Sequence, residues 1–365
     1  MLKSEIHIVL VWEKGLSKLD AILYDLKNSF EILDVYRVKW AKESFSNNLS
    51  RFYGENLPDR SFKEKHCGRG PFTVIIIKQN NPVYEQRKTS KGKSLVNRTL
   101  FDKKKLYRNW TGGGHKVHTS NDIIEATHDI LFLFNKDINE YKDSKGWSGV
   151  VCNLNNNIEG NDGWIDFNAF FTFINKSSKY IILRNYKSIN AMSPNQSDID
   201  FLTSDKDFQY HINGIRKHVQ KNRAAYSIKI GNQEYSADIR AIDDGYYDPC
   251  WAKNMINQRV IYKNQIFVPD PINAFYSLLY HALIHKNNFE DKYTNEFAIL
   301  AKAIALDIDS SVFADREKSF SVLQDFMNNE GYEITRPRDF SVQYNYNYKG
   351  FKRMIWEFIG RLKNG

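Results

Sequence analysis

Asp198 and Asp200 flank Ile199 in the segment SDIDF, and on a strand that spacing points both carboxylates to one face. Two carboxylates so close repel, and a divalent or strongly cationic partner relieves them. Hard oxygen ligands suit Mg²⁺ or Mn²⁺, the usual companions of nucleotide phosphates, so the pair suggests phosphoryl or nucleotidyl transfer. The plain alternative is a solvated pair at a strand end. Asp243, Asp244 and Asp248, in AIDDGYYDP, read as a solvated turn. His281 and His285, in LLYHALIHK, stand four apart on one helix face, as a metal pair would. The glutamate of a zinc-protease motif is missing there, and polar residues facing a cleft or a neighbouring strand fit that spacing equally well.

Groups of this kind need a scaffold, and 365 residues suit two domains rather than one. A hydrophobic share of 42% and an aromatic share of 14% supply real cores and exclude global disorder. The formal net charge of +9 suits an anionic partner: nucleotide, phosphorylated glycan, lipid headgroup or nucleic acid. It does not choose among them. Cys67, Cys152 and Cys250 are too scattered for a metal-ligand spacing or a disulfide framework, which fits a reducing compartment. No apolar run approaches the ~18 residues of a membrane span. The run near the N-terminus is too short for a signal-peptide core. The expected location is the cytoplasm, with peripheral membrane contact left open.

The pattern of elements is α+β. Residues 6–12, 32–39 and 71–78 read as strands, with helical spacing over 15–30, 44–53 and 121–134. The β-α-β-α-β order with a late helix predicts a first α/β sandwich over residues 1–137. A polar, asparagine-rich stretch marks 138–162 as a linker. The second module, 163–270, is predicted to open with an aromatic-rich helix over 164–175. Strands follow at 179–184 and 198–202, and then come two strands in 225–242 joined by a Gly-Asn turn. Residues 271–365 read as helical, ending in a basic amphipathic helix over 351–363.

Residues 180–240 resemble the nucleotidyltransferase domain of the DNA polymerase β superfamily, a mixed sheet. In that family a strand leads to a phosphate-holding turn, a second strand carries Asp-x-Asp, and a later strand adds a third carboxylate. Arg184-Asn185 occupies the turn here, Ser197-Asp198-Ile199-Asp200 supplies the pair, and Ala237-Asp238-Ile239-Arg240 supplies the third acid. The resemblance implies that Asp198, Asp200 and Asp238 hold the metal, because clamping both oxygens of an in-line displacement takes several carboxylates. It also places Arg184, Asn185, Ser197 and Arg240 at the phosphates. Arg-Asn departs from the family's Gly-Ser, so a side chain replaces a backbone cradle.

Residues 6–134 resemble the nucleoside diphosphate kinase fold, a ferredoxin-like sandwich. Gly70-Pro71 matches the start of its central strand, VHTSN (117–121) its histidine motif, and Tyr53, Arg60 and Phe62 its Tyr…Arg-Pro-Phe run. The resemblance implies that His118 is a phosphate-accepting nucleophile, that Ser120 and Asp129 orient it, and that Arg108 binds phosphate. Lys116 stands in the same basic region and is a further candidate phosphate contact. Two departures stand out. Trp12-Glu13-Lys14-Gly15 replaces the family's Lys-Pro-Asp-Gly, and Gly114-His115 replaces its Arg-Asn. Both an active kinase site and a degenerate phosphate-binding one are compatible with these changes.

Together these features lead to the expectation of an Mg²⁺- or Mn²⁺-dependent transferase. It would move a phosphoryl, nucleotidyl or phospho-alditol group from a nucleotide donor to a hydroxyl acceptor, with a glycan or other small hydroxyl compound as the favoured class. Nucleic acid is a less favoured partner, since no dedicated RNA-binding module is present. Two alternatives remain: a catalytically degenerate nucleotide- or phosphate-binding regulator, and a histidine phosphotransferase centred on His118.

Overall fold

The computed structural model describes residues 4–345 apart from 90–91, 192, 194–197, 219–224, 264 and 287–290. The chain divides into two units, Met1–Ile165 with Tyr210–Asn213, and Asp166–Gln209 with Gly214–Gly365. Both combine helices with sheet, so the α+β class holds.

The first unit runs β1 (Ser4–Val11), α1 (Leu19–Lys27), β2 (Glu31–Val38), α2 (Phe45–Tyr53), α3 (Phe62–Cys67), β3 (Phe72–Asn80), β4 (Tyr84–Thr89), β5 (Gly92–Asn97), α4 (Arg98–Trp110), β6 (Val117–Thr119), α5 (Ile123–Phe134) and β7 (Cys152–Leu154). Its main sheet has the order β6-β1-β3-β2-β7. β3 lies antiparallel between β1 and β2, while β6 adds antiparallel outside β1. The central strands are covered on both faces, so they read as nearly unbroken apolar runs rather than as alternations. Val9, Val11, Ile75 and Ile77 face Ile22 and Leu26 of α1 and Leu100 and Tyr107 of α4. Leu10 points the other way, level with His118 of β6, toward the side where α2 and α5 pack. Each such buried aliphatic side chain contributes roughly 1.5–3 kcal/mol.

Residues 138–162, expected as a linker, belong to this unit. They form a 3-10 turn, Ile138–Tyr141, and then β7, which pairs in parallel with β2. A strand of three residues carries almost no periodicity, so polar composition concealed it. The buried Arg51 of α2 ties in the returning stretch Tyr210–Asn213: it donates to the Tyr210 and His211 carbonyls at 2.9 and 3.3 Å and to Ile158 at 3.5 Å. Burial draws its guanidinium down to about 9, against the pull of Glu159 and Asp162.

The second unit runs α6 (Phe167–Ser177), β8 (Tyr180–Ile182), β9 (Ile199–Thr203), α7 (Phe208–His211, entering the returning stretch), β10 (Ile215–Arg216), β11 (Ala225–Ile230), β12 (Gln233–Ala241), α8 (Pro249–Asn257), β13 (Val260–Tyr262), β14 (Ile266–Val268), α9 (Pro271–Ile284), α10 (Asp291–Ala303) and α11 (Arg316–Glu330). The sheet order is β10-β11-β12-β9-β8, with β9 and β12 parallel and the remaining pairs antiparallel. Gly231, at φ 60°, makes the turn between β11 and β12, a conformation glycine adopts without strain. Helix α9 is buried along almost its whole length and packs with α8, α10 and α11 in one core, as a helix apolar all round must. The terminal helix expected over 351–363 lies outside the described residues.

Candidate functional site

The parallel pairing of β12 with β9 places Asp238 directly opposite Asp200. Asp198 precedes β9 by one residue, so the three acids meet at one end of the sheet. Asp200 is buried and Asp198 exposed. Loss of solvent around the carboxyl, then the nearby Asp238 and Asp200 carboxylates, hold Asp198 above the usual range, against a smaller pull from Ser236 and Lys217.

Two arginines supply part of that charge. Arg184 donates from Nη2 to Asp200 Oδ1 at 2.7 Å and reaches the Tyr246 hydroxyl at 3.4 Å. Its Nη1 is buried without a hydrogen-bond partner among the described residues. Arg240 donates to Asp238 at 3.1 Å and, through its other arm, to Asp339 at 3.0 Å, while its guanidinium lies 4.6 Å from the centre of the Tyr246 ring. Tyr246 therefore touches both cations, and its hydroxyl also pairs with His281 Nδ1 at 2.9 Å. Burial, reinforced by Arg184, keeps His281 and His285 well below the ordinary histidine range, so both are neutral. They form the floor behind Tyr246, His281 through its hydrogen bond and His285 against its ring, with the ring centres 3.9 Å apart. His285 has no hydrogen-bond partner at either ring nitrogen among the described residues.

The turn after β8 is a tight one. Asn185 adopts φ 60°, the left-handed region that asparagine tolerates better than most residues, and its carbonyl accepts from the Ser188 backbone at 3.4 Å. Ser197 lies outside the described residues. Asp244 and Asp248 are not the solvated turn expected. Asp244 accepts from the Ala241 and Tyr246 backbone, and Asp248 caps α8 at Cys250 and Trp251. Only Asp243 is exposed.

In the first unit His118 sits on β6 with Nε2 at 2.7 Å from Asp129 Oδ2. Burial would raise the Asp129 carboxyl, but His118 and His128 outweigh it and hold it below the usual range. Phe52 and Tyr53 meet the His118 ring edge-on at 5.5 and 5.7 Å, and only 6% of the residue is exposed. Trp12, which stands in the run replacing the family's Lys-Pro-Asp-Gly, is fully buried against Trp40, Phe45, Phe52 and Phe72. Its indole donates to the Tyr53 hydroxyl at 3.2 Å. Ser120 does not orient His118: its hydroxyl pairs with His7 Nδ1 at 3.1 Å and accepts from Ile8. Arg108 donates to the Val117 carbonyl at 2.9 Å, and the Lys116 ammonium to the Thr111 carbonyl. Gly114, at φ +77°, is required where it stands, since a Cβ there would lie 2.5 Å from His66 Nδ1.

Among the described residues, the trio of potential metal ligands drawn within 4.8 Å of one another is His118, Glu125 and Asp129, and the three aspartates are not drawn that close. Each member of the trio already has a protein partner. Glu125 accepts from the Asn121 backbone, and Asp129 holds both His118 and His128. The aspartates present an all-oxygen donor set, the kind of ligand that a hard cation takes, but Arg184 occupies Asp200 Oδ1.

No family model matches the chain, and no curated protein matches it. Among solved structures, one chain that it is similar to is the nucleoside diphosphate kinase of Aquifex aeolicus. The two share 15% identity over 36% of this chain and 96% of that one, with a TM-score of 0.26. No helix among the described residues is long and apolar enough to cross a membrane. Sequence reasoning missed Tyr246 and Asp339. Nothing local distinguishes either, because each acquires its role from a neighbour distant in the chain.

Proposed function

We propose that the second unit is a nucleotidyltransferase-like domain that transfers a phosphorus-containing group from a nucleotide to a hydroxyl acceptor with the help of Mg²⁺ or Mn²⁺. The observation that carries this reading is the parallel register of Asp200 and Asp238 with Asp198 beside them. Asp198, Asp200 and Asp238 would hold the cation, which supplies charge neutralisation at the transferring phosphoryl group. The chain's own contribution is positioning. Arg184 has a buried Nη1, without a partner among the described residues, to offer a phosphate oxygen, and Asn185 sets the turn that carries it. Arg240, fixed by Asp339 and the Tyr246 ring, keeps Asp238 in place. As the acceptor oxygen bonds to phosphorus, the bond to the departing nucleotide or diphosphate breaks. A glycan or other small hydroxyl acceptor remains the favoured class. Turnover of nucleoside triphosphate with Mg²⁺, measured for the full chain and for Asp200→Asn, tests the reading. Equal turnover in both would remove it, and no turnover of any nucleotide would favour a phosphate-binding regulator.

The first unit, read as a ferredoxin-like, nucleoside diphosphate kinase-like domain, supports a second possibility. With Nε2–H on Asp129, the lone pair of His118 lies on Nδ1, the nucleophilic tautomer. The Phe52 and Tyr53 rings around it restrict access, and Trp12 is buried against them. An acid-labile adduct from labelled triphosphate, lost in His118→Ala, would establish phosphotransfer there, and no adduct would exclude it.

A further inference from the structure

Two arginines share the acid site, but they are held very differently. Arg240 is clamped between Asp238 and Asp339 and covered by the Tyr246 ring. Arg184 has one carboxylate, Asp200, one long contact to Tyr246, and an Nη1 buried with no partner among the described residues. A guanidinium presents five donors in a fork that matches phosphate as well as carboxylate. A buried donor left unpaired favours any conformation that satisfies it. Arg184 is therefore the movable cation of the two, and it occupies the carboxylate that the cation of the proposed reaction needs.

We propose that Arg184 is a bolt on this site: in the free protein it closes Asp200 to metal, and a polyphosphate opens it by taking the guanidinium for itself. This rests on the reading of Asp198, Asp200 and Asp238 as the metal-holding acids. The Tyr246 hydroxyl, already 3.4 Å from Nη2 and backed by His281, gives the displaced arm a second seat. The consequence is coupling. Divalent cation alone binds weakly, polyphosphate alone binds weakly, and each strengthens the other by the same factor. A transferase built this way keeps its acids neutralised until the donor arrives, which suits a chain whose phosphate turn lacks the family's glycine.

The test is a titration of the full chain with Mn²⁺, following the paramagnetic signal of the free ion, with and without inorganic tripolyphosphate. Ion held by the polyphosphate itself is subtracted from a protein-free titration. Wild type is expected to gain affinity for Mn²⁺ when tripolyphosphate is present, within the roughly 5–150-fold range of ordinary coupling. Arg184→Gln is expected to bind Mn²⁺ alone about tenfold more tightly than wild type and to lose most of the coupling. Arg184→Lys, which keeps the charge without the fork, should fall between them. The wild-type comparison needs no variant to fold, and indifference of its Mn²⁺ affinity to tripolyphosphate overturns the bolt. So does Arg184→Gln binding Mn²⁺ no better than wild type, provided Asp198→Asn weakens that binding. If Mn²⁺ binding is absent in every protein, or unchanged in Asp198→Asn, the metal reading itself fails.

Discussion

The two units each place an acid beside a cationic or ionisable partner, and the surroundings give the pairs opposite characters. In the first unit Asp129 is buried and holds two histidines, with aromatic rings closing over the His118 side of the pair. In the second, three aspartates gather at a sheet end, one of them exposed, and two arginines only partly neutralise them. The first pair is enclosed, although His128 Nε2, like Arg184 Nη1, is buried without a partner among the described residues; the second is crowded and only partly neutralised. The sequence puts the three aspartates first and His118 second, as an alternative. The two sites differ in enclosure: His118 is 6% exposed, whereas Asp198 is exposed.

The largest effect that could break this contrast concerns turnover. Asp200→Asn is expected to lower metal-dependent transfer by on the order of a hundredfold or more, in line with the loss of one preorganised electrostatic contact. His118→Ala should leave the same rate within about twofold, as expected of a residue outside the reacting groups. Reversed results would move the chemistry to the first unit.

Stability should invert the ranking. Asp129→Ala leaves the buried imidazole of His118 and the partly exposed one of His128 without their acceptor, at a cost of about 2–4 kcal/mol in the first unit. Asp198→Asn removes a crowded, exposed charge and is expected to leave the second unit's melting temperature unchanged or slightly higher, the usual relation between an active site and stability. Separate calorimetric transitions for the two units would show it.

A smaller signal lies in acid titration. His281 and His285 titrate below their unfolded value near 6.5, so the unfolded chain binds the extra protons first. Their unfavourable effect is absent above pH 6.5 and grows as pH falls, by up to ~1.4 kcal/mol per pH unit for each proton. The groups around His285 are Arg184, Arg240 and Lys286, with Tyr246, Tyr247, Tyr280 and His281 against its ring. Asp129 works in the other window: its stabilisation is full above about 3.8 and lost as pH falls through its lowered folded value. His7 of the first unit, buried but pulled back up by Glu5, adds a weaker slope. Denaturant melts between pH 7 and pH 5 should therefore weaken the second unit more, and His285→Phe should flatten its slope by about half. Equal slopes would mean that the floor behind Tyr246 is hydrated.

What the sequence revealed, and what it hid, follows from the range over which each feature is encoded. Long apolar runs such as FTVIIIK and the Gly-Asn turn at 231–232 are local, and they stand where their patterns place them. Helix α4 escaped because RTLFDKKKLYRNW looks like a charge run, although Asn97 as its cap and the seven-residue spacing of Leu100 and Tyr107 were available signals. At the site, the grouping of Asp198, Asp200 and Asp238 could be read only through a family resemblance. The ion pairs of Arg184 and Arg240 could not be read at all. Which carboxylate an arginine finds depends on strand register and on Asp339, about a hundred residues downstream.

The smallest expected effect probes whether the enclosure around His118 holds in solution. Cys67 ends α3, and its thiol approaches the His115 carbonyl at 3.6 Å, next to the glycine loop that leads into the histidine strand. Burial pushes that thiol up to about 12, with Lys63 and Arg108 pulling only weakly against it. Cys152 and Cys250 are exposed. Since the thiolate is the reactive species, maleimide at neutral pH should label Cys152 and Cys250 readily and Cys67 at least about a hundredfold more slowly. Fast labelling of Cys67, read by mass spectrometry of the peptide that carries it, would mean that the shell of Tyr53, Phe52 and Trp12 opens in solution. His118 would then regain the access a nucleophile needs, and the difference between the two units would be one of dynamics rather than of packing.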